Sequence, residues 1–159
     1  ADRWFGSCPQ LNLSKYLNLK KRIKRNEGFR NFAYLDSLGF HSIGYGHLVK
    51  VNEKHLLIGR FSKKLLLNFF NSDFNKALKD YEKIYKKQKH QQHTKEVLIE
   101  MIFQLGIKKQ IKFIKMNKHI NNNCLFMAAL EMKNSLWYTQ TPKRVDKLIN
   151  ILLKEINDK

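Results

Sequence analysis

The sequence predicts an α+β fold made mostly of helices, and three observations lead to this prediction. Apolar residues recur at helical spacing between 66 and 84, and again between 145 and 156. A stretch between 32 and 45 is rich in aromatic and β-branched residues and reads as a hairpin. With 159 residues, 43% of them hydrophobic, the chain can bury a sizeable core as one domain, which is either undivided or split into two lobes.

The first 17 residues are too apolar for an idle tail, so we expect this extension to pack on the body of the protein. It contains Trp4, Phe5 and Cys8. Cys8 and Cys124 are the two cysteines of the chain, and they form either one bridge in an oxidising compartment or two separate thiols in a reducing one.

Residues 18 to 48 hold the most informative pattern. A helix is predicted over 18–26, with Glu27 near its C-terminus and Gly28 as its cap. The segments 32–36 and 40–45 flank a turn at 37–39, so that Asp36 lies at the turn and Ser42 lies on the returning strand. This arrangement presents Glu27, Asp36 and Ser42 to a common space.

Two carboxylates and a hydroxyl suit the cleavage of a glycosidic bond. The reaction needs a proton donor to the leaving oxygen and a second carboxylate that either attacks the sugar or activates a water. The hydroxyl could hold that water. On residue types alone the pattern is weak, because most Glu and Asp pairs in a basic protein are solvated or paired with cations.

The rest of the chain reads as helices joined by short connections. Residues 49–61 form a connection, Ser62 caps a long helix, and residues 86–93 form a polar loop. That loop contains His90 and His93, but it lacks the further ligands of a zinc site, so no metal is predicted. Later segments are predicted as a helix from 94 that stops at Gly106, a basic segment over 108–119, a helix over 125–136, and a last helix opened by Pro142 with Val145, Leu148, Ile149, Leu152 and Ile156 facing inward.

Several blocks resemble the phage-type lysozymes, the bacteriophage T4-like family known as glycoside hydrolase family 24. The pattern E-G-x-R, then Asp at the turn, then S-I-G-Y-G-H-L is similar to the active-site block of that family. Further blocks follow in the same order and are N-S-D-F from 71, M-I-F-Q-L-G from 101 and S-L-W-Y-T-Q-T-P-K-R from 135. The resemblance runs from about residue 18 to about residue 151.

The resemblance implies roles and an architecture. Glu27 would be the general acid, and Asp36 and Ser42 would position and activate the attacking water in an inverting reaction. Substrate-binding residues would be Leu48, Phe103, Gln104 and Gln140, and supporting residues would be Arg144, which holds Glu27, and the pair His47 and Asp73. The family fold implies a lysozyme-like domain over 18–159, with a small lobe over about 27–61, a linking helix over about 62–85 and a helical lobe over about 86–159.

The composition is strongly basic, with 31 Lys and Arg against 13 Asp and Glu, a net charge of +18. Such a surface attracts polyanions, but no nucleic-acid-binding motif is present and no apolar run is long enough for a membrane span. We expect a monomer without cofactor that acts on peptidoglycan, and on anionic wall polymers as a further partner. It would work in the periplasm or outside the cell, after secretion or phage delivery. The alternatives are a catalytically silent, cationic wall-binding or toxin-like domain and a membrane-disrupting protein.

Overall fold

The computed structural model describes residues 15–36 and 39–157, without the side chains of residues 155 and 157. The described part contains eight α-helices, one 3₁₀ helix and one antiparallel sheet, which confirms the predicted α+β class. In chain order the elements are α1 (Leu17–Glu27), β1 (Arg30–Leu35), β2 (His41–Gly44), β3 (His47–Leu48), the 3₁₀ helix (Val51–Leu57), α2 (Lys63–Tyr85), α3 (Gln92–Leu105), α4 (Ile107–Gln110), α5 (Ile114–Asn121), α6 (Leu125–Lys133), α7 (Leu136–Gln140) and α8 (Pro142–Asn157).

Local sequence signals set several helix ends as predicted. The Ser62 hydroxyl accepts a hydrogen bond from the Leu65 amide at the start of α2. Gly28 follows α1 with φ 71° and donates its N–H to the carbonyl of Lys24. Gly106 ends α3 in the same way, with φ 79°. Both positions require a left-handed backbone that glycine adopts without steric cost.

The three strands follow one another in the sheet in the order β1-β2-β3. Ser42 on the middle strand lies opposite Tyr34 on β1 and opposite Leu48 on β3. The hairpin prediction is confirmed, with strands that begin and end within two residues of the expected positions. Residues 37 and 38 of the expected turn lie outside the described residues.

Helix α2 joins two hydrophobic clusters. Near its start Leu66 packs with Ile43 and Leu56 beneath the sheet. Farther along, Phe70 and Phe74 belong to the large cluster formed with the C-terminal helices. This helix therefore connects the sheet to the helical body, although the lobe boundaries given above stay a prediction.

Two predicted segments contain helices that the sequence analysis did not specify, and two further details of that analysis were wrong. The connection over 49–61 contains a 3₁₀ helix, anchored by the fully buried Leu56. The basic segment over 108–119 spans two helices, because Phe113 between them is not helical. The helix predicted over 125–136 ends at Lys133, and Ser135 caps α7 by accepting from the Tyr138 amide. Ile156 was expected to face inward but is 51% exposed, since it lies one turn beyond Leu152, the last buried residue among the described side chains of α8.

The N-terminal expectations fall mostly outside the described part of the chain. Residues 1–14 are not described, so the packing of the extension and the pairing of Cys8 remain predictions. Tyr16, just after them, is buried against Phe74 with ring centroids 6.0 Å apart. Cys124 is exposed at the start of α6.

Candidate active site

Glu27 is the last residue of α1, and its carboxylate is held from the far end of the chain. Its Oε1 accepts a hydrogen bond of 2.7 Å from Nη1 of Arg144 on α8. The Glu27 side chain is 19% exposed and that of Arg144 is 11% exposed. A charge-assisted bond of this length between half-buried groups fixes the direction of the carboxylate.

Gly46, in the turn between β2 and β3, packs directly against Glu27. A Cβ added at Gly46 would lie 2.8 Å from Oε2 of Glu27, closer than real Cβ contacts. The residue also has φ 76°, which favours glycine. The glycine of the G-Y-G sequence therefore leaves the space that the carboxylate occupies.

Asp36 follows β1 at the hairpin turn and is partly buried. Its Oδ1 accepts from the Phe40 amide at 2.9 Å, and its own amide donates to the Phe40 carbonyl at 2.8 Å. Ser42 on β2 is only 4% exposed. The turn thus holds Asp36 rigidly beside the strand that carries Ser42.

Tyr34 on β1 interacts electrostatically with Glu27 and Asp36 and pairs with Ser42 in the sheet. Burial raises the pKa of its hydroxyl, the negative charge of Glu27 raises it further, the charge of Arg30 lowers it, and the charge of Asp36 raises it. Both carboxylates are therefore within electrostatic reach of the Tyr34 phenol. Ser42 is the strand partner of Tyr34 in the β1-β2 register, and both acids act on the Tyr34 phenol through their charge.

Behind Glu27 lies a buried network of charges. The fully buried Glu100 of α3 accepts at 2.7 Å from Nε of Arg22 and at 3.3 Å from Nε of Arg144, while Asn26 donates to it at 2.8 Å. Arg144 therefore bridges Glu100 and Glu27 through two different nitrogens. The Nη2 atoms of Arg22 and Arg144 are buried without a hydrogen-bond partner among the described residues.

His47 is clamped between two carboxylates. Its Nδ1 lies 2.7 Å from Asp73 on α2, and its Nε2 lies 3.0 Å from Glu53 in the 3₁₀ helix. Burial alone would lower the pKa of His47, but the hydrogen bonds and charges of Asp73 and Glu53 outweigh it and raise the pKa. Burial opposes the shift at Glu53, whose pKa is lowered by the Lys50 amide and by His47. Both ring nitrogens therefore face carboxylate oxygens, an arrangement that favours the protonated ring.

The residues expected to bind substrate lie in different surroundings. Leu48 and Phe103 line one cavity of about 190 Å³, together with His47 and Asp73. Gln104 is engaged by the protein, because its Oε1 accepts from Trp137 Nε1 at 3.0 Å and its Nε2 donates to Thr141 at 3.4 Å. Gln140 is exposed at the end of α7.

Besides Arg22 and Asn26, four contributors to this site were missed from sequence. Glu100 carried a signal, since a single charge within the apolar run V-L-I-E-M-I indicates a buried ion pair. No sequence signal indicated that Gly46 lies close to Glu27 or that Glu53 is the second carboxylate on His47, because each depends on contacts between separate elements. A tyrosine is an ordinary residue in a strand, so the sequence does not single out Tyr34, and only the sheet register shows that it lies opposite Ser42.

Neither a metal site nor a membrane-spanning helix is found in the described ranges. Within residues 15–36 and 39–157, no three His, Cys, Asp or Glu side chains group as metal ligands. His90 of the H-x-x-H pair instead contacts the Tyr81 hydroxyl at 2.9 Å and Oδ1 of Asn121 at 3.1 Å. Among the same residues, no helix is both long enough and apolar enough to cross a bilayer.

Comparison with known proteins identifies the family of the chain. The family model described as phage lysozyme matches residues 24–152, which include every site residue described above except Arg22. A protein of Dictyostelium discoideum named probable T4-type lysozyme 2 is 31% identical over 159 residues, covering 84% of this chain and 92% of that protein. A second from the same organism, probable T4-type lysozyme 1, is 28% identical and covers 85% and 93%. The chain therefore belongs to the phage lysozyme family, and this membership supports a glycoside hydrolase of the muramidase type.

Proposed function

We propose that the protein hydrolyses the β-1,4 bond between N-acetylmuramic acid and N-acetylglucosamine of peptidoglycan, with inversion at the anomeric carbon, and thereby lyses bacteria. The observation that carries the proposal is the Glu27 carboxylate, fixed by Arg144 and Gly46 beside the hairpin that bears Asp36 and Ser42. Family membership supplies the reaction class.

In the proposed reaction the acid form of Glu27 gives its proton to the bridging oxygen as the bond to the anomeric carbon breaks, which leaves the carboxylate that Arg144 holds. A water held by Ser42 and Asp36 attacks that carbon from the opposite face, and Asp36 takes the proton that the water releases. One water is consumed, and the new hydroxyl has the inverted configuration. This route requires about 6.5–9.5 Å between the two carboxyl groups, enough for the water between them.

The same proposal assigns the glycan contacts. Leu48 and Phe103 would pack against sugar rings at the cavity they share. Gln104 keeps one amide hydrogen beyond its bond to Thr141, which suits an acetamido oxygen. Gln140 would reach the glycan from the exposed end of α7.

The setting follows from the substrate. The protein would act as a monomer on the cell wall, in the periplasm or outside the cell, after secretion or phage delivery. Its excess of positive charge favours encounter with a wall that carries anionic polymers.

A turbidity assay on a bacterial wall suspension tests the activity, with Glu27→Gln as the decisive variant. Loss of the general acid should lower the rate by roughly 10²–10⁴-fold, and Asp36→Asn and Ser42→Ala should lower it as well. Glu82→Gln changes an exposed carboxylate to its amide and serves as the matched control. Killing of intact cells that persists in Glu27→Gln would instead support the membrane-disrupting alternative.

Product analysis separates the remaining alternatives. An inverting muramidase releases the α-anomer first, which proton NMR detects before mutarotation. Wall binding without release of reducing ends, in wild type and Glu27→Gln alike, would identify the silent wall-binding domain. Initial release of the β-anomer would refute inversion while leaving the hydrolysis itself in place.

A further inference from the structure

A basic pocket lies at the C-terminal end of α2, away from the carboxylates described above. It has a volume of about 550 Å³ between the end of α2, the following loop and the start of α3. Five lysines line it, with Glu82 as the one carboxylate in the lining. The lysines are Lys79, Lys83, Lys86, Lys89 and Lys95.

The five pocket lysines differ in ion pairing from Lys76 of α2, and Lys95 lies over the Tyr81 ring, with Nζ 5.3 Å from the ring centroid. Lys76 pairs with Asp80 at 2.7 Å, whereas within the described residues none of the five pocket lysines has a carboxylate within the 4.0 Å of an ion pair. Like charges spaced three or four residues apart destabilise a helix. Each such pair costs the helix only a little stability, which a bound anion would offset.

The spacing of the charges forms a row. Lys79, Lys83 and Lys86 follow one another at intervals of four and three residues, and Lys86 keeps helical backbone angles as the cap of α2. At 1.5 Å per residue the row extends about 10 Å along one face of the helix. Such a row fits a linear polymer with repeated charges better than it fits a single small anion.

The floor of the pocket consists of packed aromatic rings. Tyr81 and Tyr85 are 5% and 3% exposed, and His90 packs edge-on against both rings. Burial raises the pKa of Tyr81, and it raises that of Tyr85 to about 12, so both hydroxyls stay protonated and add no negative charge. The buried rings provide no exposed platform on which nucleic-acid bases could stack. They also provide no apolar anchor for a bilayer.

We propose that this pocket binds a linear phosphodiester polymer of the kind that bacterial walls carry, and so tethers the protein to its surroundings. Binding would depend on the local row of lysines rather than on the net charge of the whole protein. It does not require hydrolytic activity, because no residue of the pocket belongs to the candidate active site.

The test measures binding of long-chain inorganic polyphosphate to the full chain over a range of salt concentrations. The triple variant Lys79→Gln, Lys83→Gln, Lys86→Gln should bind roughly a hundredfold more weakly near 0.1 M salt. It should also reduce the magnitude of the salt slope by about 2, since each lost contact releases fewer counterions. The matched control Lys64→Gln, Lys147→Gln, Lys154→Gln removes the same charge from exposed positions outside the pocket, and its binding should change by less than about threefold.

Further experiments identify the ligand class and separate this binding proposal from the proposed hydrolase activity. NMR shifts of His90 and Asn121 on adding polyphosphate to wild type should map binding to the pocket even if a variant folds poorly. Equal weakening by both triple variants would overturn the proposal. So would preferential binding of single-stranded DNA or of anionic vesicles over polyphosphate. Walls stripped of phosphate polymers should be digested equally by wild type and both variants, whereas failure of digestion by all three would count only against the hydrolase.

Discussion

Replacing Glu100 with Gln should destabilise the protein strongly, although the two side chains have nearly the same shape. The Glu100 carboxylate is fully buried and accepts from Arg22 at 2.7 Å and from Arg144 at 3.3 Å. Removing its charge leaves two half-buried guanidinium groups without their shared partner, and the new amide hydrogens face N–H donors. Breaking a buried pair in this way costs about 3–5 kcal/mol.

Thermal unfolding followed by circular dichroism measures this cost. For a domain of this size 1 kcal/mol lowers Tm by roughly 2–4 °C, so the expected decrease is about 6–20 °C. Glu82→Gln makes the same chemical change on the exposed surface of α2 and should leave the free energy of unfolding within about 0.5 kcal/mol of wild type.

The same variant should also slow catalysis, because Arg144 loses one of the two carboxylates that orient it toward Glu27. Measured well below the lowered Tm, kcat should fall while KM stays nearly constant, as expected for a positioning residue that does not touch the glycan. A decrease in Tm of less than about 2 °C with unchanged kcat would refute this reasoning, since the buried charges would then contribute nothing net.

Two further predictions concern Gly46 and His47. Gly46→Ala should lower kcat by up to about a hundredfold, because the added Cβ displaces the Glu27 carboxylate. The control Gly59→Ala has similar backbone strain at φ 98° but open space around it, so it should keep the wild-type kcat. Equal kcat values for the two variants would contradict this prediction. His47→Gln should cost about 3 kcal/mol below pH 6.5. In thermal melts across pH, the stability lost in His47→Gln should shrink as the pH rises through the raised pKa of folded His47, because only the protonated ring is stabilised. The part of the loss that is due to Glu53 should fade as the pH falls below 4.5 toward the lowered pKa of Glu53. A loss that stays constant with pH would show that the ring acts without its charge.

Local signals predicted much of the fold. Gly28, Ser62 and Gly106 set helix ends through backbone conformation or a single cap, and these effects act within a few residues. Apolar spacing located α2 and α8 for the same reason. At Ser135 a helix ends inside an apolar stretch. Whether it ends there depends on a cap that competes with the continued apolar periodicity, and the sequence alone favoured the longer helix.

The candidate site was predictable where its residues are close in sequence and unpredictable where they are not. Glu27, Asp36 and Ser42 lie within one helix end and one hairpin, so a motif can reveal them. Glu100 depends instead on Arg22 and Arg144, which are 78 and 44 residues away. Periodicity places Glu100 on the buried face of α3, but it does not say which cations lie opposite.

The charge of Glu100 in V-L-I-E-M-I nevertheless limits which residues can lie opposite it. A carboxylate at a fully buried helical position must find cations or lose its charge, because an isolated buried ion is too costly to persist. In the described part of the chain Arg22 of α1 and Arg144 of α8 pair with Glu100, and Arg144 also pairs with Glu27 at the end of α1. The same electrostatic requirement that stabilises the interior of the helical body therefore places Arg144 beside Glu27, which couples the stability of the fold to the geometry of the proposed reaction.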